Sequence, residues 1–457
     1  MTDEKVSWLD RLNNWAKRSV MLKLFIIGIL ILLLLIPVSM VQSLIYERQQ
    51  LRNDAQREIS GKWGNEQFIG GPVLSVPYDA VTKNSKGEQV TEIRYAHFLP
   101  DELKISGELL PEKRSRGIYV AMLYNAQLNI SGRFNALNLS GLMIQPAAIH
   151  FEDAFLSFGI SDMRGIKRDI GLTFAGQTYA FESGIPVHDI LSSGVSVSVK
   201  VLPEQGGTFA LNLNLNGSGQ IYFLPFGKKT SVQLASTWPS PSFDGSFLPD
   251  VREVNEQGFS ASWNVLELNR NYPQQGLGAF ITGMQPHEVS SDADQSSGRY
   301  ASFGVKLMLP VDEYQKNNRS AKYSVMFVFL TFLTLFFVEL LHKKQIHPLQ
   351  YLLVGFAITL FYVLLLSFSE HISFDKSYLI ACSSIVALLT YYVWHMVQSA
   401  KTTMLVSSVF MILYGFFYSL LQLEDYALLF GSLGLLLILG VVMYLSRRLS
   451  WSLSAES

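Results

Sequence analysis

The feature that most constrains this chain is an apolar run near its N-terminus, FIIGILILLLLIPVSM at 25–40, within a span of residues 21–44. Crossing roughly 30 Å of hydrocarbon as a helix takes about 20 apolar residues. A backbone in lipid has to satisfy its own hydrogen bonds, so the run is read as a helix. A cleaved signal peptide would carry an apolar stretch of about 7–15 residues ending in small ones. Here Gln42, Ser43, Leu44, Ile45, Tyr46 and Glu47 follow instead, and an uncleaved anchor is expected.

A second apolar block fills 323–446. Four or five spans fit it, and five are adopted: 323–341, 349–368, 377–397, 403–421 and 426–446. Their joints, HKKQIHP, SEHISFDK, QSAKT and QLED, are short enough to make neighbouring helices antiparallel. With a cytoplasmic N-terminus, Lys5, Arg11, Lys17, Arg18, Lys23, Lys343, Lys344, Lys401, Arg447 and Arg448 all lie inside, against Lys376 in the short outside loops. That asymmetry places both termini in the cytoplasm and residues 45–320 outside. Tyr351, Tyr378, Tyr391, Tyr392, Trp394, Tyr444 and Trp451 fall near span ends, where amphipathic rings favour headgroups. The leader, 1–20, spaces Leu9, Leu12, Trp15 and Ala16 on one helical face. It is either an interfacial helix or a charged topogenic leader. Residues 447–457 form a cytoplasmic tail.

The outside segment reads as β-rich. After YERQQLRNDAQREIS, which continues the first helix, Gly61 and Gly70-Gly71 break the pattern. VLSVPYDAV and EQVTEIRYAHFL flank KNSKG as a hairpin. In TFALNLNLNGSGQIYFL, Phe209, Leu211, Leu213 and Leu215 alternate with Ala210, Asn212, Asn214 and Asn216, the pattern of a half-buried antiparallel strand. Many short strands at short intervals indicate a sandwich or curved sheet system, as one domain or two packed subdomains. VSSDADQSSGR at 289–299 reads as an exposed loop. The fold class is therefore an α+β membrane protein: six transmembrane helices, one N-terminal and five C-terminal, around a large antiparallel β-rich periplasmic domain.

Motifs for chemistry are missing. Cys382 is the sole cysteine, so neither a disulfide framework nor a thiolate cage is available. With 36 Lys+Arg against 37 Asp+Glu, no broad basic face suggests nucleic acid. His287-Glu288 begins like a zinc-protease motif, but Ser291 stands where the second histidine is needed. Gly227-Lys228-Lys229-Thr230 lacks the spacing of a phosphate loop, and no nucleophile elbow occurs. Asp101, Glu102, Glu152 and Asp153 are the carboxylates open to a hydrolase reading.

Charges in the helical block are costly, so each needs a reason. Glu339 lies near His342, Lys343 and Lys344, where a loop salt bridge would suffice. Pro348 is expected in the first helical turn, with His347 before it as a cap or headgroup contact. Glu370 and His371 end a span on the outside; they are either ordinary solvated loop charges or, if the bundle brings Glu424 and Asp425 near, part of a small acidic cluster that receives a cation or docks the β-domain. Few mid-span charges occur, unlike a proton-coupled pump, and Gly355, Gly415, Gly431, Gly434 and Gly440 permit close helix packing.

TWPSPSFDGSFLPDVREVNEQGFSASW at 237–263, with Trp238, Pro239, Pro241, Phe243, Pro249, Arg252, Gly258, Phe259 and Trp263, resembles a stretch of the CreD family of inner-membrane proteins. Arg319, Ala321, Lys322 and Tyr323, LTF at 330–332, Glu339, HPLQYLLVG at 347–355, SEH at 369–371, GPVLSVP at 71–77 and RGIY at 116–119 are similar to it too. The resemblance implies a cell-envelope integrity protein of Gram-negative bacteria, tied to a two-component stress regulon and to envelope or β-lactam stress. It implies no catalytic residues. The expectation is a non-enzymatic protein without cofactor or nucleic-acid partner. The bilayer and a periplasmic protein or envelope component are its expected partners. Candidate functional residues are Glu339, His347, Glu370, His371, Trp238, Pro239, Pro241, Phe243 and Arg252. A transporter or lipid-handling protein working through the bundle is the alternative, and an envelope hydrolase comes third.

Overall fold

The computed structural model describes residues 20–83, 88–142, 144, 148–281, 301–308, 313–342, 346–423 and 426–447. The leader up to residue 19, His287-Glu288, the loop at 289–299, Lys343, Lys344, Glu424, Asp425, Arg448 and Trp451 lie outside the described residues. The chain divides into a helical unit, Met1–Leu51 with Val311–Ser457, and a sheet unit, Arg52–Pro310.

Helix α1, Val20–Trp63, has 44 residues, about 66 Å at 1.5 Å per residue. Ile27, Leu34, Val38, Val41 and Ile45 form its buried stripe, and their spacing of three, four and seven is one helical face. Phe25, Ile29, Leu32, Ile36 and Met40 on the other faces are exposed, as side chains turned toward lipid would be. Gly61 does not end the helix as expected. The last turn is held from outside: the Trp63 Nε1–H donates to the Tyr124 carbonyl at 3.2 Å, and Arg164 donates to the Gly61 carbonyl at 2.8 Å. The stop comes at Gly64, whose φ of +148° is open to glycine.

The rest of the helical unit comprises α2 Glu313–Lys322, α3 Ser324–His342, α4 Pro348–Ser369, α5 Phe374–Val397, α6 Ala400–Gln422 and α7 Ala427–Ser446. Among the described residues five helices are long and apolar enough to cross a membrane. A sixth span arises if Tyr314–Lys322 and Ser324–Leu340, bent by 46°, are counted together. The sequence pattern places residues up to 320 in the outside domain. Instead α2 belongs with the helices, because Tyr314, Asn317, Ser320 and Ala321 form a buried stripe on it.

The strands of the sheet unit are β1 Gln67–Lys83, β2 Gln89–Phe98, β3 Glu102–Arg116, β4 Tyr119–Phe134, β5 Phe155–Ile160, β6 Gly171–Phe174, β7 Gln177–Ala180, β8 Glu182–Ser183 and β9 Gly194–Ser198. They continue as β10 Gly207–Ser218, β11 Gln220–Phe223, β12 Lys229–Ser236, β13 Pro241–Gly245, β14 Val251–Asn255, β15 Gly258–Leu266, β16 Gln275–Leu277 and β17 Phe303–Leu307. One sheet runs β13-β17-β11-β1-β5-β9-β8, with β2 on β1 and β16 on β2. The other runs β14-β15-β12-β3-β4-β10-β6-β7.

Alternation sets the registers. Leu211, Leu213 and Leu215 of β10 stand opposite Ile130, Leu128 and Ala126 of β4, and all six are buried. Slipping β10 by one residue would turn Asn212 and Asn214 into the core. The pairings are antiparallel except two, β1 with β11 and β3 with β12. Apolar faces of both sheets join one continuous core, so the sheet unit is one domain rather than two.

Candidate functional site: the carboxylates that hold the first helix

Glu339 and Glu370, the two glutamates singled out in the helical block, each meet a cation of α1. Glu339 sits one turn from the end of α3. Its Oε1 lies 2.6 Å from Lys23 Nζ, and its side chain is 5% exposed. The Tyr351 hydroxyl of α4 donates to Oε2 at 3.0 Å, and the Ile346 amide donates to Oε1 at 3.2 Å. The expected loop partners Lys343 and Lys344 lie outside the described residues; the cation found is Lys23, more than three hundred positions earlier. Nothing in local sequence pairs these two, because helix packing brings them together.

Glu370 caps the C-terminus of α4. Its Oε1 lies 3.8 Å from Arg48 Nε and accepts from the Tyr314 hydroxyl at 3.3 Å. Beside it, buried Asn317 of α2 donates to the Ser369 hydroxyl at 2.6 Å. Lys23 and Arg48 are 25 positions apart (48 − 23), about 37 Å along a helix. That slightly exceeds the roughly 30 Å of bilayer hydrocarbon, so each charge lies near one end of the span. Midway, Gly355 of α4 faces Leu34 so closely that a β-carbon would overlap the leucine side chain. A glycine notch of this kind lets helices approach where apolar burial itself gains little against lipid.

The two contacts differ in energy. Removing one partner of a buried, well-bonded pair costs about 3–5 kcal/mol, since the other charge is stranded. An exposed pair is worth about 0–1 kcal/mol; with Arg48 42% and Glu370 11% exposed, the second contact lies between the two cases.

His347 and His371 play smaller parts. His347 is the N-cap of α4: its Nδ1 accepts from the Leu349 amide at 3.2 Å, while its own amide donates to the Gln350 side chain at 2.9 Å. Pro348 follows in the first turn, where its missing N–H costs nothing. His371 is exposed at the turn after α4.

The distinctive 237–263 segment stitches the two sheets together. The chain leaves β12 in one sheet, forms β13 in the other, then returns as β14 and β15. Buried Trp238 makes the crossing, its Nε1–H shared between the Ser240 and Met308 carbonyls at 3.1 Å each. Pro239 is exposed, Pro241 stands opposite Leu307 on β17, and Phe243 packs edge-on against Phe259 and Trp263. The neighbouring Asp244 pairs with Lys306 and accepts from the Tyr222 hydroxyl; Lys306 above all, with the Gly245 amide, pulls its carboxyl down to about 2. Arg252 points outward on β14, an edge strand exposed along its whole length.

Sequence patterns missed a buried histidine network. His97 Nδ1 lies 2.8 Å from the Ser75 hydroxyl, and its Nε2 lies 3.0 Å from Asp189 Oδ2. Burial pushes the imidazole below its ordinary value, with Asp189 opposing. Ser75 and His97 face each other across the β1–β2 register, so the hairpin pattern could have found that pair, whereas Asp189 arrives from a distant loop. The serine hydroxyl is buried in the core. Arg270, also missed, is buried against the Tyr272 ring and donates to the Tyr272 and Phe226 carbonyls.

Of the carboxylates open to a hydrolase, Asp101 accepts from the Asn135 amide, and Glu102 lies beside Lys104 and Arg133. Glu152 and Asp153 converge with His150, their ligand atoms within 4.8 Å of one another, and His150 lies 3.3 Å from Asp79. Those three are the described residues placed to hold a metal ion, and both acids are exposed.

The sequence pattern of the family described as "Inner membrane protein CreD" matches residues 19–452. "Inner membrane protein CreD" of Escherichia coli (strain K12) is 30% identical over 430 residues, covering 92% of this chain and 91% of the relative. A match of this extent takes in α1, the sheet unit and the later helices alike. The chain thus belongs to the CreD family and is a multi-pass inner-membrane protein.

Proposed function

We propose that this protein supports cell-envelope integrity or the envelope-stress response. In this reading the sheet unit lies in the periplasm, where it binds or senses a protein or envelope component, and both termini lie in the cytoplasm. No reaction is assigned to it. One observation carries the reading: α1 is a single helix that belongs to the helical unit at its start and to the sheet unit at its end. An event at the sheet unit would thereby reach the helical unit along the chain of α1 itself. The distribution of Lys and Arg supports the orientation. That Glu339 and Glu370 are engaged by cations of α1 favours anchoring over transport as their role. Within 237–263, the exposed edge β14 with Leu248, Val251 and Val254 is the part open to a partner.

Deleting 61–310 while retaining every helix of the bundle should abolish rescue of an envelope-stress phenotype. Full rescue by that variant would sink the proposal. Photo-crosslinking from Val251 and Val254, compared with buried Val265, would identify what the edge meets.

A further inference from the structure

Four ionisable side chains of the sheet unit meet just before β5. A 3-10 turn, Phe151–Asp153, follows His150, so that His150, Glu152 and Asp153 fall within one tight bend of the chain. The backbone of this bend is pinned on both sides. The His150 amide donates to the Pro77 carbonyl at 3.0 Å, Ile149 bridges Tyr78 of β1, and the Val199 amide donates to the Ala154 carbonyl at 2.9 Å. Phe151 packs against the core and Ala154 is buried, while Glu152 and Asp153 are exposed. The apolar residues thus anchor the turn and leave its donor groups outside. An imidazole nitrogen and two carboxylate oxygens come within 4.8 Å of one another there. Metal bonds of about 2.0–2.2 Å put two donors at most about 4.4 Å apart on one ion, so small side-chain rotations close the set.

The charge at this place favours a cation as well. The Asp79 carboxylate of β1 adds a third acid, its Oδ2 3.3 Å from His150 Nε2. Among the described residues no lysine or arginine forms an ion pair with Asp79, Glu152 or Asp153, whereas Glu102 has Arg133 and Asp244 has Lys306. Carboxylates held this close repel one another, and a bound cation relieves the repulsion. The imidazole then selects the kind of ion. Ca2+ takes about 6–8 oxygen ligands and Mg2+ keeps several waters, whereas a nitrogen donor suits Zn2+, Ni2+ and their neighbours.

We propose that His150, Glu152 and Asp153 bind a divalent transition-metal ion, with Asp79 adding negative charge beside the ring. Three protein donors leave a position on the ion for water or a group from outside. The site belongs to the sheet unit alone and stands whether or not that unit serves the envelope.

The test titrates Zn2+ into the full chain in detergent, with any affinity tag removed and millimolar Mg2+ and Ca2+ present. One ion per chain should bind. Loss of even an outer partner of a metal ligand costs about 10–100-fold in affinity, so His150→Ala, Glu152→Gln and Asp153→Asn should each weaken binding at least about tenfold. His188→Ala, at an exposed histidine outside the cluster, should leave it unchanged. X-ray absorption at the zinc edge should show one imidazole among oxygen donors. If a variant does not fold, the unaltered chain still decides: Zn2+ should raise the unfolding midpoint of the sheet unit, as a ligand of the folded state does. No saturable binding, displacement by Mg2+, or equal weakening by His188→Ala would overturn the site. Zinc without an imidazole ligand, or retained in full by His150→Ala, would mean an adventitious ion only.

Discussion

Replacing Lys23 by methionine keeps most of the side-chain volume and removes the cation. Glu339 then keeps the Tyr351 hydroxyl and the Ile346 amide, but its charge is buried without an opposite charge. Breaking such a pair costs about 3–5 kcal/mol. Lys23 is 28% exposed, so some water already screens it, and the lower end of that range is expected. About 3 kcal/mol is roughly two powers of ten in the folded ratio. Arg48→Met, at the more open and longer contact, should cost less than Lys23→Met. Adding Glu339→Leu and Tyr351→Phe to Lys23→Met removes the stranded groups, leaving the Ile346 amide as the main deficit, about 1 kcal/mol. Reversible unfolding by SDS in bicelles, followed by fluorophores on α1 and α5, reads these differences in the helical unit alone. The reasoning is refuted if Lys23→Met costs no more than Arg48→Met, or if the triple variant is less stable than the single one.

Gly355→Val should push α1 away from α4, seen as loss of a disulfide cross-link between cysteines on those helices, and Leu34→Ala should restore it. Trp238→Ala empties a buried indole site and orphans the Ser240 and Met308 carbonyls. About 3–5 kcal/mol of sheet-unit stability should go, with the helical unit unaffected, as read by separate unfolding transitions. His97 makes the sheet unit acid-sensitive. Its folded value lies below the ordinary 6.5 of a histidine, so the unfolded chain binds the proton first. Stability is complete above 6.5 and falls as pH drops from there toward the lower folded value. Asp189→Asn removes the group that opposes burial and should steepen the loss; His97→Gln should abolish it. An acid slope unchanged in His97→Gln would assign the effect elsewhere.

Much of the architecture was legible because hydrocarbon and sheet burial both write periodic patterns. The apolar block at 25–40 and the alternation at 209–215 admit few other structures. Boundaries followed less well. Gly61 looked like a stop, but tertiary hydrogen bonds to its turn outweigh its propensity, and α2 was assigned to the outside although its buried stripe marks it as part of the bundle. The site was half visible. Glu339 and Glu370 stood out because charge near hydrocarbon needs a partner, yet the partner of each lies on α1, hundreds of residues away, and no spacing rule reaches that far. Trp238 and Phe243 stood out as distinctive, and the structure packs them against the core; Arg252 and the β14 edge, with Pro239 and Leu248, face outward.

The central claim is that this inner-membrane protein holds its sheet unit on the periplasmic side. Single cysteines in the Cys382→Ser background, at exposed Leu248 and at Lys401, test it by labelling spheroplasts with a membrane-impermeant maleimide. The account predicts that Leu248→Cys labels at once and Lys401→Cys only after lysis. Labelling of Lys401→Cys in intact spheroplasts, with Leu248→Cys protected until lysis, would contradict it.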